Sequence, residues 1–166
     1  MSNVAKIITD AILKKMNRHY DRERYLSIVR ELREKIPDVT LTSDIIVGFP
    51  GESEEDFAAT LDMLSTVRFD MLYSFIYSAR KGTPAAEMEQ VPPKVQGERF
   101  DRLLALEHEI ASEKNAAMVG QTVRVLCDGV SKNDESTLSG RTDGNKLVFF
   151  HGDADALKGR FVSVEI

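Results

Sequence analysis

At 166 residues, with a net charge of -5 and 42% hydrophobic residues, the chain has room for one medium domain, or for one domain and a small module. A core that removes roughly 70% of the unfolded surface from water is within reach at this length. Bulk charge does not advertise nucleic-acid binding, so any RNA contact needs a local basic patch. The one cysteine, Cys127, excludes an internal disulfide and cannot by itself hold an iron-sulfur cluster; His19, His108 and His151 are too scattered for an ordinary metal site. No apolar run reaches the roughly 18 residues of a membrane span. Met1 opens no signal-peptide pattern, which together predicts a cytoplasmic protein and no membrane partner.

Along the chain, "ITDAILKKMNRHY" predicts a short helix with Ile12, Leu13 and Met16 on one face, ending near Asn17. "DRERYLSIVRELREKIPD" offers Asp21 as N-cap and places Tyr25, Ile28, Val29, Leu32 and Ile36 at helical spacing before Pro37 stops the run. "VTLTSDIIVGF" follows as a strand. Its Ile45-Ile46-Val47 core lacks alternation, the pattern of a strand buried on both faces, and it is expected to end at Phe49. Gly48 and Gly51 permit a sharp turn around Pro50, and Ser53 with Asp56 reads as a capping box that starts a helix at about Glu54. That helix turns Phe57, Leu61 and Leu64 inward, and "FDMLYSFIYS" returns as a strand. Strands separated by helices favour parallel pairing, hence an α/β sheet or a portion of a barrel.

The loop "ARKGTPAAEMEQVPP" leads to a long closing helix over about 94–115, with Phe100, Leu103, Leu104, Glu107, Ile110 and Ala111 at helical intervals. Glu107 is a polar interruption without a reason in the sequence. From residue 116 on, "QTVRVLCDG", "STLSGRT", "NKLVFF" and "RFVSVEI" are short alternating runs between turn residues, which predicts a small all-β module, a barrel. Six basic residues against seven acidic give this module a net charge of -1. Phe149 and Phe150 invite a base-stacking reading, but adjacent strand residues face opposite ways, so one of them belongs to the core.

Five segments in order, "MNRHYDRERY", "TSDIIVGFPGESEEDF", "FIYSARKGTPAA", "ERFDRLLALEHEI" and "LSGRTDGNKLVFF", resemble the C-terminal half of the radical S-adenosylmethionine methylthiotransferases, most closely the MiaB type that acts on tRNA. The resemblance runs from about Asp10 to Ile166. It implies a partial radical-SAM (β/α) barrel in residues 1–115 and an RNA-contacting TRAM barrel in 116–166. Family members that act on threonylcarbamoyl-adenosine or on a ribosomal protein are the alternatives, although Arg80, Lys81 and "GRTDGNK" favour the first type. Ala79 and Lys81 depart from its usual prolines.

The resemblance further implies methylthiolation at C2 of N6-isopentenyl-adenosine beside the anticodon of tRNA. S-adenosylmethionine and two [4Fe-4S] clusters would serve as cofactors, and the tRNA anticodon loop as partner. The cluster-binding cysteines of the family are absent from this chain, "MSNVAKIIT" departs from the family's pattern, and the TRAM module stops early at Glu165-Ile166. The expectation is therefore a fragment, inactive alone, with no catalytic or metal-binding residue of its own and an open sheet edge through which it self-associates. Two further readings stay open: a non-catalytic RNA-binding module, and an α/β scaffold for protein interaction.

On the family's pattern, Ile46, Gly48 and Phe49 line the adenine of S-adenosylmethionine; read locally, they are an ordinary strand-to-helix turn. Tyr77, Ser78 and Arg80, at the C-terminal end of a strand, are candidates for the same pocket. The acidic run Glu52, Glu54, Glu55 and Asp56 reads as helix capping and solvation. Lys132, Arg141, Asn145 and Lys146 are the RNA-binding candidates. Cys127, in an apolar strand, reads as a buried thiol.

Overall fold

The computed structural model describes residues 9–166. The divergent "MSNVAKIIT" start lies outside them except for Thr9. The chain divides into two units between Glu113 and Lys114.

In the first unit the elements follow as α1 (Asp10–Lys15), α2 (Arg22–Lys35), β1 (Thr42–Val47), α3 (Glu54–Val67), β2 (Met71–Ile76) and α4 (Pro93–Ala116), whose last three residues already belong to the second unit, with a 3-10 turn at Pro84–Ala86. Local chemistry sets the boundaries. Asp21 caps α2 by accepting from the Arg24 amide, and Ser53 and Asp56 form the expected reciprocal box at the start of α3. Asn17 and Arg68, at φ 56° and 51°, take the left-handed conformation just beyond α1 and α3.

Strands β1 and β2 pair in parallel across α3, in a register that sets Asp44 beside Tyr73 and Ile46 beside Phe75. Contrary to the sequence reading, β1 stops at Val47 and is covered on one face only: Ser43, Ile45 and Val47 are buried, whereas Thr42, Asp44 and Ile46 are half-exposed. The cause is one-sided packing. Ile45 and Val47 form a core with Phe57 and Leu64 of α3 and Leu103 of α4, and Val29 of α2 packs on Met63, Val67 and Phe69. On the opposite face Tyr73 and Phe75 are about half-exposed. Ile36, expected inward, is also exposed because it sits past the last turn of α2 as its C-cap.

The second unit holds β3 (Thr122–Val130), β4 (Leu138–Thr142), β5 (Leu147–Phe150), α5 (Ala154–Leu157) and β6 (Phe161–Glu165). Its strands form one antiparallel sheet in the order β5-β4-β3-β6. Two expectations change here. The module carries a short helix, so it is not all-β, and among the described residues its edge strands β5 and β6 do not pair, leaving an open sheet where a closed barrel was expected. One face buries Val125, Cys127 and Leu138; Gly140 belongs to it because a Cβ there would lie 2.5 Å from the Leu126 carbonyl oxygen.

Candidate functional site

The turn after β1 is held by buried charge. Gly48, at φ 76°, donates its amide to Glu52 Oε2 at 2.9 Å, and Gln96 of α4 donates to the Gly48 carbonyl at 3.1 Å. A Cβ on residue 48 would meet Gln96 Cγ at 2.5 Å, so the room that glycine leaves is filled by α4. The Glu52 and Arg99 side chains are 1% and 6% exposed and pair at 2.8 Å; Arg99 also donates to the Glu52 carbonyl and to Glu54. Burial raises the Glu52 pKa, and the Gly48 amide and Arg99 only partly offset it. Arg99 and Arg102 both lie over the Phe57 ring.

The acidic run therefore splits by position. Asp56 caps α3 and Glu54 pairs with Arg102, as capping and solvation predict, whereas Glu52 is a buried ion-pair partner that the sequence reading missed. The available signal was Arg99 itself. It stands four residues before Leu103 on the buried stripe of α4, a charge at an apolar position.

Of the six residues expected around a cofactor, Phe49 and Tyr77 meet directly, with ring centroids 5.2 Å apart and edge-to-face, over Ile12 of α1. The Tyr77 amide donates to the Val47 carbonyl, extending the strand pairing to this ring. Ile46 lies on the half-exposed face of β1, next to Phe75. Ser78 and Arg80 are exposed beyond β2. The fit to S-adenosylmethionine is thus that of one wall: Ile46 and the neighbouring aromatic surface offer apolar contact, while both backbone polar groups of Gly48 are already bonded within the protein. The fit to an iron-sulfur cluster fails in the described residues. Cys127 is buried in the second unit, and no three potential metal ligands converge.

In the second unit the β4–β5 hairpin brings together three of the four RNA-binding candidates. Arg141 Nη1 donates to the Asn145 carbonyl at 3.2 Å, Asn145 turns the chain at φ 64°, and Lys146 donates to Asn115 Oδ1 at 2.6 Å. Lys132 is not with them; it sits in the β3–β4 loop at the other end of β4. Asp143, in the same hairpin, holds Arg124 through two contacts at 2.8 and 3.1 Å, which lower the carboxyl pKa. Phe149 is exposed and Phe150 half-buried, as strand alternation requires.

Residues 5–64 match the Radical SAM superfamily and residues 116–166 the TRAM domain. Proteins named tRNA-2-methylthio-N(6)-dimethylallyladenosine synthase are similar over nearly the whole chain. That of Clostridium botulinum (strain Langeland) is 54% identical over 156 residues, 93% of this chain and 34% of its own length. That of Acetivibrio thermocellus is 54% identical over 93% of this chain and 32% of its own, and that of Thermoanaerobacter sp. (strain X514) is 51% identical over 95% and 34%. The chain spans about a third of the length of these curated relatives.

Proposed function

From a chain that is a MiaB-type fragment by sequence, joining part of a Radical SAM domain to a TRAM domain, we propose that it is the wall-forming and RNA-contacting third of a tRNA methylthiotransferase. The single observation that supports this most is the identity of 54% over 93% of the chain, with both domains in order. In this reading residues 1–115 complete a barrel with chain that they do not themselves contain, and 116–166 bind tRNA in the cytoplasm at its anticodon loop. The product is C2-methylthiolated N6-isopentenyl-adenosine.

S-adenosylmethionine and two [4Fe-4S] clusters, when bound in such an enzyme, supply the radical, sulfur and methyl chemistry. This chain's own residues bind and orient. Ile46 gives an apolar edge, Phe49, buried against Ile12, backs Tyr77, and Tyr77 and Ser78 shape the strand-end side of the pocket. Arg80, exposed and cationic, is suited to a carboxylate or phosphate. The Glu52–Arg99 pair fixes the turn from which Phe49 projects. The isolated chain is inactive in this reading because it brings no cluster ligands, and the open edges of its two-stranded sheet self-associate.

A chimera tests the reading. In the C. botulinum synthase the matching third is replaced by this chain, and tRNA from cells lacking their own enzyme is digested and analysed by mass spectrometry. Recovery of the 2-methylthio nucleoside is expected. A stable, cluster-loaded chimera that leaves the adenosine unmodified would sink the proposal.

A further inference from the structure

Within the second unit, no described element packs on the face of the four-stranded sheet opposite Val125, Cys127 and Leu138, yet that face is not polar. Phe161 is 59% exposed, Phe149 54%, Leu147 50% and Leu126 37%. Register aligns them: Leu147 pairs with Arg141, Arg141 with Leu126, and Leu126 with Phe161, one row running across all four strands. Phe149 stands one pair further along β5, opposite Ser139. From β5 to β6 the row spans three strand spacings, about 14 Å. Exposed aromatic and aliphatic side chains in a continuous row mark an interaction surface, since each gives up burial free energy in the free protein.

We propose that this face is a stacking platform for single-stranded RNA, with Phe149 and Phe161 as its aromatic ends and Arg141 between them. The inference rests on the reading of the module as RNA-binding and specifies its surface and mode. Arg141 decides the class of ligand. It lies in the middle of the apolar row, and its guanidinium bonds only to the Asn145 carbonyl and amide oxygens, so its charge meets no carboxylate among the described residues.

Arg124 lies 4.7 Å over the Phe161 ring, which is still 59% exposed. Asp143 and Glu165 sit at the end where β3 begins, with Asp143 tied to Arg124, and Asp128 is exposed at the β3 bulge two residues from Leu126. Aromatic rings interleaved with arginines suit unpaired bases, whose π faces are free and whose phosphates pass the cation; a duplex hides those faces. A platform of this width holds roughly two or three bases.

The chain has no tryptophan, so Phe149→Trp installs a single reporter on the platform. The probe is a labelled RNA of roughly a dozen unpaired nucleotides, with a duplex of the same composition as control. The single strand is expected to quench the indole emission of this variant as anisotropy reports binding, and the duplex to do neither.

Phe149→Ala and Phe161→Ala should each weaken binding by roughly 5- to 100-fold without changing its salt dependence. Phe149→Leu, which keeps apolar area and the sheet, should lose nearly as much. If both alanine variants, folded by circular dichroism, bind as tightly as the parent while Arg141→Ala does not, the platform is wrong and RNA binding by the hairpin stands. If the parent chain binds no RNA, the RNA-binding reading falls and the platform with it. Emission that changes on dilution, without RNA, would assign the face to a second copy of this chain and overturn the proposal.

Discussion

Glu107 is an acid on the inward side of α4. It bonds Ser74 Oγ at 3.3 Å and lines a small pocket with Leu64, Phe69, Asp70, Met71, Leu72, Ile110 and Ala111. Burial raises its pKa above the ordinary 4.5, and the Ser74 hydrogen bond and the nearby His108 offset only part of that. A raised carboxyl pKa means that the folded state binds its proton more tightly than the unfolded state does. The stability this contributes is complete below about pH 4.5 and is lost as pH rises through the raised value. At neutral pH the ionised side chain is therefore a liability. Glu107→Gln, which keeps a polar partner for Ser74, should raise the midpoint of thermal unfolding at pH 7. The gain should shrink toward zero as the buffer approaches pH 4. A variant less stable than the parent at pH 7 would mean that the carboxylate's bond to Ser74 outweighs its desolvation.

Elements whose boundaries are set by neighbouring residues were legible in the sequence. The caps at Asp21 and Ser53 lie within three residues of what they bond, and α4 declares itself over six turns of apolar spacing. What depends on partners distant in the chain was not legible. An unbroken apolar run suggested two covered faces for β1, but α3 and α4 pack on only one of them. A Cβ on Gly48 would meet Gln96, 48 positions away, a neighbour the local sequence does not reveal. Glu52 looked like one more solvated acid until Arg99 met it in the interior.

That last pair joins two elements, and its removal should be felt by both. Arg99→Ala leaves Glu52 buried without a counter-charge and should destabilise the first unit by about 3–5 kcal/mol, whereas Glu52→Gln with Arg99→Met should cost less than the single change. All four tyrosines, Tyr20, Tyr25, Tyr73 and Tyr77, lie in that unit, so tyrosine fluorescence during urea unfolding reads it alone. A single variant as stable as the parent would show that water reaches Glu52.

For the whole molecule, charge argues against strong, unspecific attraction to nucleic acid. The chain carries -5 and its second module -1, so on the proposed RNA-binding reading affinity has to come from a few placed cations and from contacts that salt does not screen. Arg124 is occupied by Asp143, which leaves Arg141 and Lys146 at the hairpin as the candidate phosphate contacts on that reading. For single strands each neutralised phosphate contributes about -0.7 to the slope of log K against log salt. Two contacts predict a slope near -1.4, an affinity loss of only about 7-fold between 50 and 200 mM salt. Replacing both cations by alanine should flatten the slope while the stacking contribution persists. Anisotropy titrations of the single-stranded RNA across that salt range read the number directly. A slope steeper than about -3 would bring in basic groups outside the hairpin, such as Lys132, Lys158 and Arg160, and would make binding a property of the module's whole surface rather than of one face.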